Sequence, residues 1–156
     1  MRLSQILTPE RIFLGVALDD SDQLLRHLAR CMQRCHPALS AARIFDLLRA
    51  REHTGSTGLG AGVAIPHARL DSNEPPCAIF VRPHRSLSFN APDGRAADLF
   101  FALAVPLHST DLHLELLSEV AELFNDDAAC TLLRRASSAS TVMDVLSTRF
   151  QEIAST

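Results

Sequence analysis

Residues 97–105 read Ala-Asp-Leu-Phe-Phe-Ala-Leu-Ala-Val, with Asp98 the sole polar side chain, and Pro106 closes the run. The run is far too short to span a bilayer. Continuous apolarity over this length, stopped by proline, predicts a strand covered on both faces. Such a strand needs a layer on each side, and the flanking sequence supplies helical periodicity both before and after it. The fold class expected is therefore α/β: a mixed β-sheet flanked by helices. At 156 residues and 47% hydrophobic composition, the chain makes one ordinary domain, residues 1–156.

The remaining elements follow from pattern and punctuation. Residues 11–18 and 77–81 read as strands, and 63–65 (Val-Ala-Ile) as a short buried strand that Pro66 terminates. Residues 19–21 offer N-cap oxygens for a helix over about 22–35, which His36-Pro37 ends. Ser40 caps a second helix to about residue 52, with Ile44, Phe45, Leu47 and Leu48 inward. Residues 90–94 (Asn-Ala-Pro-Asp-Gly) are a turn. The last third is helical. Ser109 or Thr110 caps a helix through Leu123, Asp126 caps another, and Ser140 or Thr141 opens the last. No repeat or low-complexity linker interrupts the pattern.

Chemistry concentrates in residues 55–68, Gly-Ser-Thr-Gly-Leu-Gly-Ala-Gly-Val-Ala-Ile-Pro-His-Ala, which hold four of the six glycines. Glycine permits positive φ and close backbone approach, so N–H groups of such a loop can converge on an anion. Gly55, Ser56, Thr57, Gly58 and Gly60 are the candidate phosphate-binding positions. His67 is expected where a sheet edge meets this loop, as a neutral imidazole able to attack a phosphoryl group. The spacing is not Gly-x-Gly-x-x-Gly, and the loop precedes its strand, which disfavours a dinucleotide site. A Walker A loop requires lysine, and the chain has none: all fifteen basic residues are arginine. The net charge of −3 argues against nucleic acid. Residues 1–7 contain no apolar leader, so a soluble cytoplasmic protein is expected.

Two further side-chain types support the anion reading. His113 falls in the first turn of the helix after Pro106, where the helix N-terminus favours anions and disfavours imidazolium. Arg49 and Arg51 end the second helix just before the glycines, and Arg51, the nearer, is expected to aim its guanidinium at phosphate oxygens. His108 has the weaker geometric case. The four cysteines, Cys31, Cys35, Cys77 and Cys130, form no Cys-x-x-Cys pair and are expected as reduced thiols. A reading of another class is a metal-binding interaction module, in which His27, Cys31 and Cys35, successive i, i+4 positions, hold zinc. Against it stand the leucines sharing that helical face and the lack of an evident fourth ligand.

Arg51-Glu52-x-x-Gly55-Ser56-Thr57-Gly58-Leu59-Gly60-Ala61-Gly62-Val63-Ala64-Ile65-Pro66-His67-Ala68 resembles the phosphorylation-site signature of the mannitol/fructose-class IIA domains of the bacterial phosphotransferase system. Residues 98–106, followed by His113-Leu114-x-x-Leu117-Ser118-x-Val120-Ala121, are similar to the second signature of that family, as is the run 132–136. The lead-in before the glycines is similar to the nitrogen-regulatory subgroup. The resemblance implies a phosphohistidine carrier and regulator rather than a turnover enzyme. His67 would accept a phosphoryl group from a histidine-phosphorylated carrier protein of the HPr or NPr type. His113 would lie beside it, and Arg51 would support the phosphate. Regulatory target proteins, or a IIB domain in a sugar-transport variant of the same role, would be the onward partners. No cofactor, metal or membrane insertion is implied. Leu59 and Leu112 are candidates for the rim of the carrier-docking surface. Ala68 departs from the family pattern, which has glycine after the histidine.

Overall fold

The computed structural model describes residues 2–155; Met1 and Thr156, the outer limits of the single-domain reading, lie outside them. The apolar run ending at Pro106 forms the middle of the sheet. Strand β6 (Leu99–Pro106) is buried along nearly its whole length. Strand β5 (Cys77–Pro83) pairs with it antiparallel, while β3 (Val63–Ala64) and β4 (His67–Leu70) both pair with it in parallel, end to end along its other edge. Strand β1 (Ile12–Val16) lies parallel to β5, and β2 (Gly58–Gly60) hairpins onto β3.

Alternation along β6 divides the core. Phe100, Ala102 and Ala104 face α1 (Ser21–Cys35) and α2 (Ala41–Thr54). Leu99, Phe101, Leu103 and Val105 face α3 (Thr110–Phe124), α4 (Asp127–Arg135) and α5 (Ala139–Ala154). Successive strand residues point to opposite faces, so one strand apolar at every position serves two helical layers. The expected mixed sheet flanked by helices is the observed architecture.

Side-chain caps start three helices where the sequence offers them, whereas at α3 Ser109 is the N-cap residue but makes no side-chain cap hydrogen bond. Asp20 accepts from the Gln23 N–H at 2.8 Å, Ser40 from Arg43 at 3.1 Å and Asp126 from Ala129 at 3.0 Å. The last helix begins earlier than expected. Ser138, not Ser140 or Thr141, is its N-cap, accepting from the Thr141 N–H at 3.1 Å. Two strands were not expected at all. Pro66 does not end strand pairing: the chain resumes as β4 at the next residue. The missing N–H of Pro66 removes one donor, but its carbonyl still accepts from Leu103 at 3.1 Å. The glycine segment is likewise no open loop but the β2–β3 hairpin.

Gly62 closes this hairpin at φ +82°, where an added Cβ would lie 2.6 Å from Arg134 Nη2 and 2.8 Å from Asp98 Oδ1. Those two side chains form a 2.8 Å ion pair that ties α4 to the root of β6. Gly62→Ala should therefore destabilise by roughly 2–3 kcal/mol, combining left-handed strain with displacement of the pair. Gly94→Ala, also at positive φ but with nothing within 4 Å, should lose only the backbone part, about 1 kcal/mol. Urea unfolding of the two variants checks this ordering.

Candidate functional site

The interruption between β3 and β4 positions the central side chain. His67 is the first residue of β4, opposite Leu103, which turns its ring toward the α3 layer. There it meets His113, one turn into α3, with ring centroids 5.2 Å apart and planes inclined at 52°. The two imidazoles are only 7% and 8% exposed, so little more than an edge of each meets solvent. His67 is thus a strand residue beside the central strand, not a residue at a loop mouth as expected from Pro66.

Its two ring nitrogens have different partners. Nδ1 lies 2.7 Å from the Ile65 carbonyl oxygen, which can only accept, so Nδ1 carries the proton. Nε2 accepts from the Arg51 Nε–H at 3.2 Å, which requires a lone pair there. Arg51 reaches it from the last turn of α2, and its Nη1 donates to the Gly55 carbonyl at 2.7 Å and to Thr54 Oγ1 at 3.3 Å. Arg49 is directed elsewhere, with its Nε 3.9 Å from Asp22 on the surface. Of the two arginines, Arg51 is the one hydrogen-bonded to His67.

Burial holds both histidines below the ordinary imidazole pKa, and the neighbouring cations add to it. For His67 desolvation is the main cause, with Arg51 contributing and the Ile65 carbonyl opposing. His113 is pushed down to about 4 by desolvation, then by His67, Arg69 and Arg51. Its Nδ1 is buried with no hydrogen-bond partner among the described residues. A histidine with a depressed folded pKa binds more protons when unfolded, so stability rises with pH in that interval. The contribution from neutral His113 is complete above about pH 6.5 and is lost as pH falls toward 4. Unfolding free energy should drop by up to about 3 kcal/mol across that window. His113→Gln should remove most of this share of the slope in urea unfolding measured at stepped pH, with a remainder from His67.

The glycine-rich positions do other work than the anion cradle expected of them. The Gly55 N–H donates to the Glu52 carbonyl at 3.3 Å, the Thr57 N–H to Glu52 Oε2 at 3.1 Å, and the Gly58 N–H to Ser56 Oγ at 3.0 Å. Ser56 Oγ donates in turn to the Phe89 carbonyl at 2.7 Å, and Gly60 pairs with Val63 in the hairpin. The N–H groups of Gly55, Thr57 and Gly58 are therefore already hydrogen-bonded within the protein.

Two supporting residues escaped the sequence reading. Glu52 takes both the Thr57 N–H and the Thr57 hydroxyl, stapling the end of α2 to the hairpin and so fixing Arg51. Arg69, two residues past His67, donates to the Leu107 carbonyl and, at 2.7 Å, to Thr110 Oγ1, bracing the start of α3. Glu52 lies inside the signature next to Arg51, and Arg69 lies just past its end. Of the expected docking leucines, Leu59 is 43% exposed but lies beside Ala121 and Phe124, two turns along α3 from His113. Leu112 is half-buried and packs against the α3 side of the core. Leu107, 42% exposed, accepts a hydrogen bond from Arg69 through its carbonyl.

The metal reading does not survive the tertiary arrangement. The His27 ring packs edge-on against Phe13 at 5.0 Å, and the Cys35 thiol turns to Cys77. Among the described residues no three His, Cys, Asp or Glu side chains come together as a metal site. No described helix is long and apolar enough to cross a membrane.

Residues 5–148 match the family described as phosphoenolpyruvate-dependent sugar phosphotransferase system, EIIA 2. The chain belongs to this family. It is 37% identical over 146 residues to the nitrogen regulatory protein of Pseudomonas aeruginosa, covering 94% of this chain and 95% of that one. The crystal structure of nitrogen regulatory protein IIA-Ntr from Neisseria meningitidis superposes with a TM-score of 0.87 at 36% identity, over 92% of this chain and 98% of that one. Mannitol IIA from Escherichia coli, at 18% identity, shares the fold with a TM-score of 0.74 over 90% and 98% of the two chains.

Proposed function

We propose that this EIIA-family protein is a phosphocarrier and regulator that accepts a phosphoryl group on Nε2 of His67 from a histidine-phosphorylated carrier of the HPr or NPr type. The observation that carries this reading is the pair of bonds on the His67 ring. The Ile65 carbonyl takes the Nδ1 proton, so the nucleophilic lone pair is left on Nε2. Attack forms an Nε2–P bond as the N–P bond to the carrier breaks. The Nδ1–H···O bond then stabilises the positive charge developing on the ring. As the lone pair is used, the Arg51 N–H is freed to donate to a phosphoryl oxygen. His113, neutral and with its ring against that of His67, supplies a second donor through the ring nitrogen that carries its proton. Transfer of this kind needs positioning and charge stabilisation more than covalent chemistry by the protein.

Leu107 and the start of α3, which Arg69 joins, form part of the docking rim. Similarity to nitrogen regulatory proteins over nearly the whole chain supports signalling through partners that distinguish the phosphorylated from the free form. The test is incubation with phosphoenolpyruvate, enzyme I and an HPr or NPr carrier, followed by mapping of acid-labile phosphate. Label on His67 is expected. Label on His113 would reverse the two roles. Rapid onward transfer to a IIB protein would assign the chain to sugar transport instead of regulation.

A further inference from the structure

A second reactive centre lies away from His67, where the C-terminus of α1 meets the start of β5. Cys35 Sγ is 2.7 Å from Cys77 Sγ, although the residues are 42 apart in sequence. Both are free thiols. A disulfide needs about 2.05 Å between sulfurs, so closure requires the two to approach by only about 0.7 Å. Cys35 is half-buried and can be reached from solvent, while Cys77 is wholly buried behind it. This is the arrangement of an accessible attacking thiol with a resolving thiol at hand.

We propose that Cys35 and Cys77 are a redox pair that closes an intramolecular disulfide on exposure to a hydroperoxide. The Cys35 thiolate attacks the peroxide, forming an S–O bond and breaking the O–O bond; the departing oxygen leaves as water or alcohol after taking a proton. Cys35 is then a sulfenic acid, oxidised by two electrons, and the peroxide is reduced by two. The Cys77 sulfur attacks the Cys35 sulfur, forming S–S and breaking S–O. The hydroxyl leaves as water with the Cys77 proton. Thiol reductants reverse the change.

The surroundings favour this direction of attack. The hydrogen bond from the Cys77 thiol is the main influence drawing Cys35 down to about 7; burial opposes it, and Arg11 and Arg34 assist. Cys77 is shifted upward by the same bond and by burial, as befits the partner that keeps its proton until the second step. Burial raises Cys31 and Cys130 as well, so neither competes for the oxidant. The disulfide would pin α1 to the centre of the sheet. Cys77 pairs across β6 with Ala104, and Ala104 pairs with Ala68, the residue after His67. The brace therefore shares a transverse row of the sheet with the neighbour of the phosphoacceptor candidate.

The test uses the full-length reduced protein treated with hydrogen peroxide, alkylated and mapped by mass spectrometry without reduction. The expected product is a monomer with one Cys35–Cys77 bridge, lacking two thiols and restored by dithiothreitol. The C31S/C130S protein should form it equally well. Closing a loop of this length should raise the Tm of the oxidised form by roughly 10 °C. The C35S variant, altered at the more exposed position, should show neither thiol loss at Cys77 nor the Tm shift. Over-oxidation of Cys35 without a bridge, a bridge to Cys31, an intermolecular bridge, or an unchanged thiol count would each overturn the proposal.

Discussion

His67→Gln should abolish uptake of acid-labile phosphate from a phosphorylated carrier while leaving the protein folded. Glutamine fills most of the space of the buried ring and can still donate to the Ile65 carbonyl, but it has no nucleophilic ring nitrogen. The effect expected is complete loss of label, with a cooperative thermal transition retained. His67→Ala should lose the label too, at a greater cost in stability because it leaves a cavity beside β6. Label persisting in the folded glutamine variant would move the acceptor elsewhere, first to the adjoining His113.

Arg51→Ala is expected to slow phosphoryl transfer by roughly one to two orders of magnitude. A charge-assisted hydrogen bond contributes about 1.5–3 kcal/mol, and the loss would fall on the transition state, where the guanidinium exchanges the Nε2 lone pair for a phosphoryl oxygen. Arg51→Lys should recover little, because its point charge cannot hold both the Gly55 carbonyl and the phosphoryl as the fork does. Arg49→Ala is the control. Its guanidinium lies by Asp22 and over the Phe45 ring, so the transfer rate should barely change. Single-turnover rates at saturating carrier measure the difference. Equal losses at both positions would reduce Arg51 to a general electrostatic influence.

Much of this protein was legible locally. The unbroken apolarity of residues 99–105 pointed to a strand between two layers, because a strand covered on both faces buries every side chain in so short a run. Asp20, Ser40 and Asp126 announced their helices through side-chain oxygens that need only the next turn of chain as partner. The two signatures singled out His67, His113 and Arg51, residues whose chemistry is carried by type and spacing.

What only the tertiary structure decided involves partners distant in sequence. Whether Pro66 ends a strand depends on β6, whose Leu103 N–H holds the Pro66 carbonyl and lets β4 continue. Whether the loop N–H groups of Thr57 and Gly58 are free for phosphate depends on Glu52 and Ser56, whose side chains fold back and take them. Cys35 shares a helix with His27 and Cys31, yet its thiol turns to Cys77 from the sheet, which replaces a helical metal motif with a thiol pair. Periodicity reports which face of an element is buried; register and packing determine which distant group it meets there. That is why the histidine proposed as acceptor could be singled out from the chain, while the ring nitrogen that keeps a lone pair was decided by a carbonyl in the break between two strands and an arginine at the end of a helix.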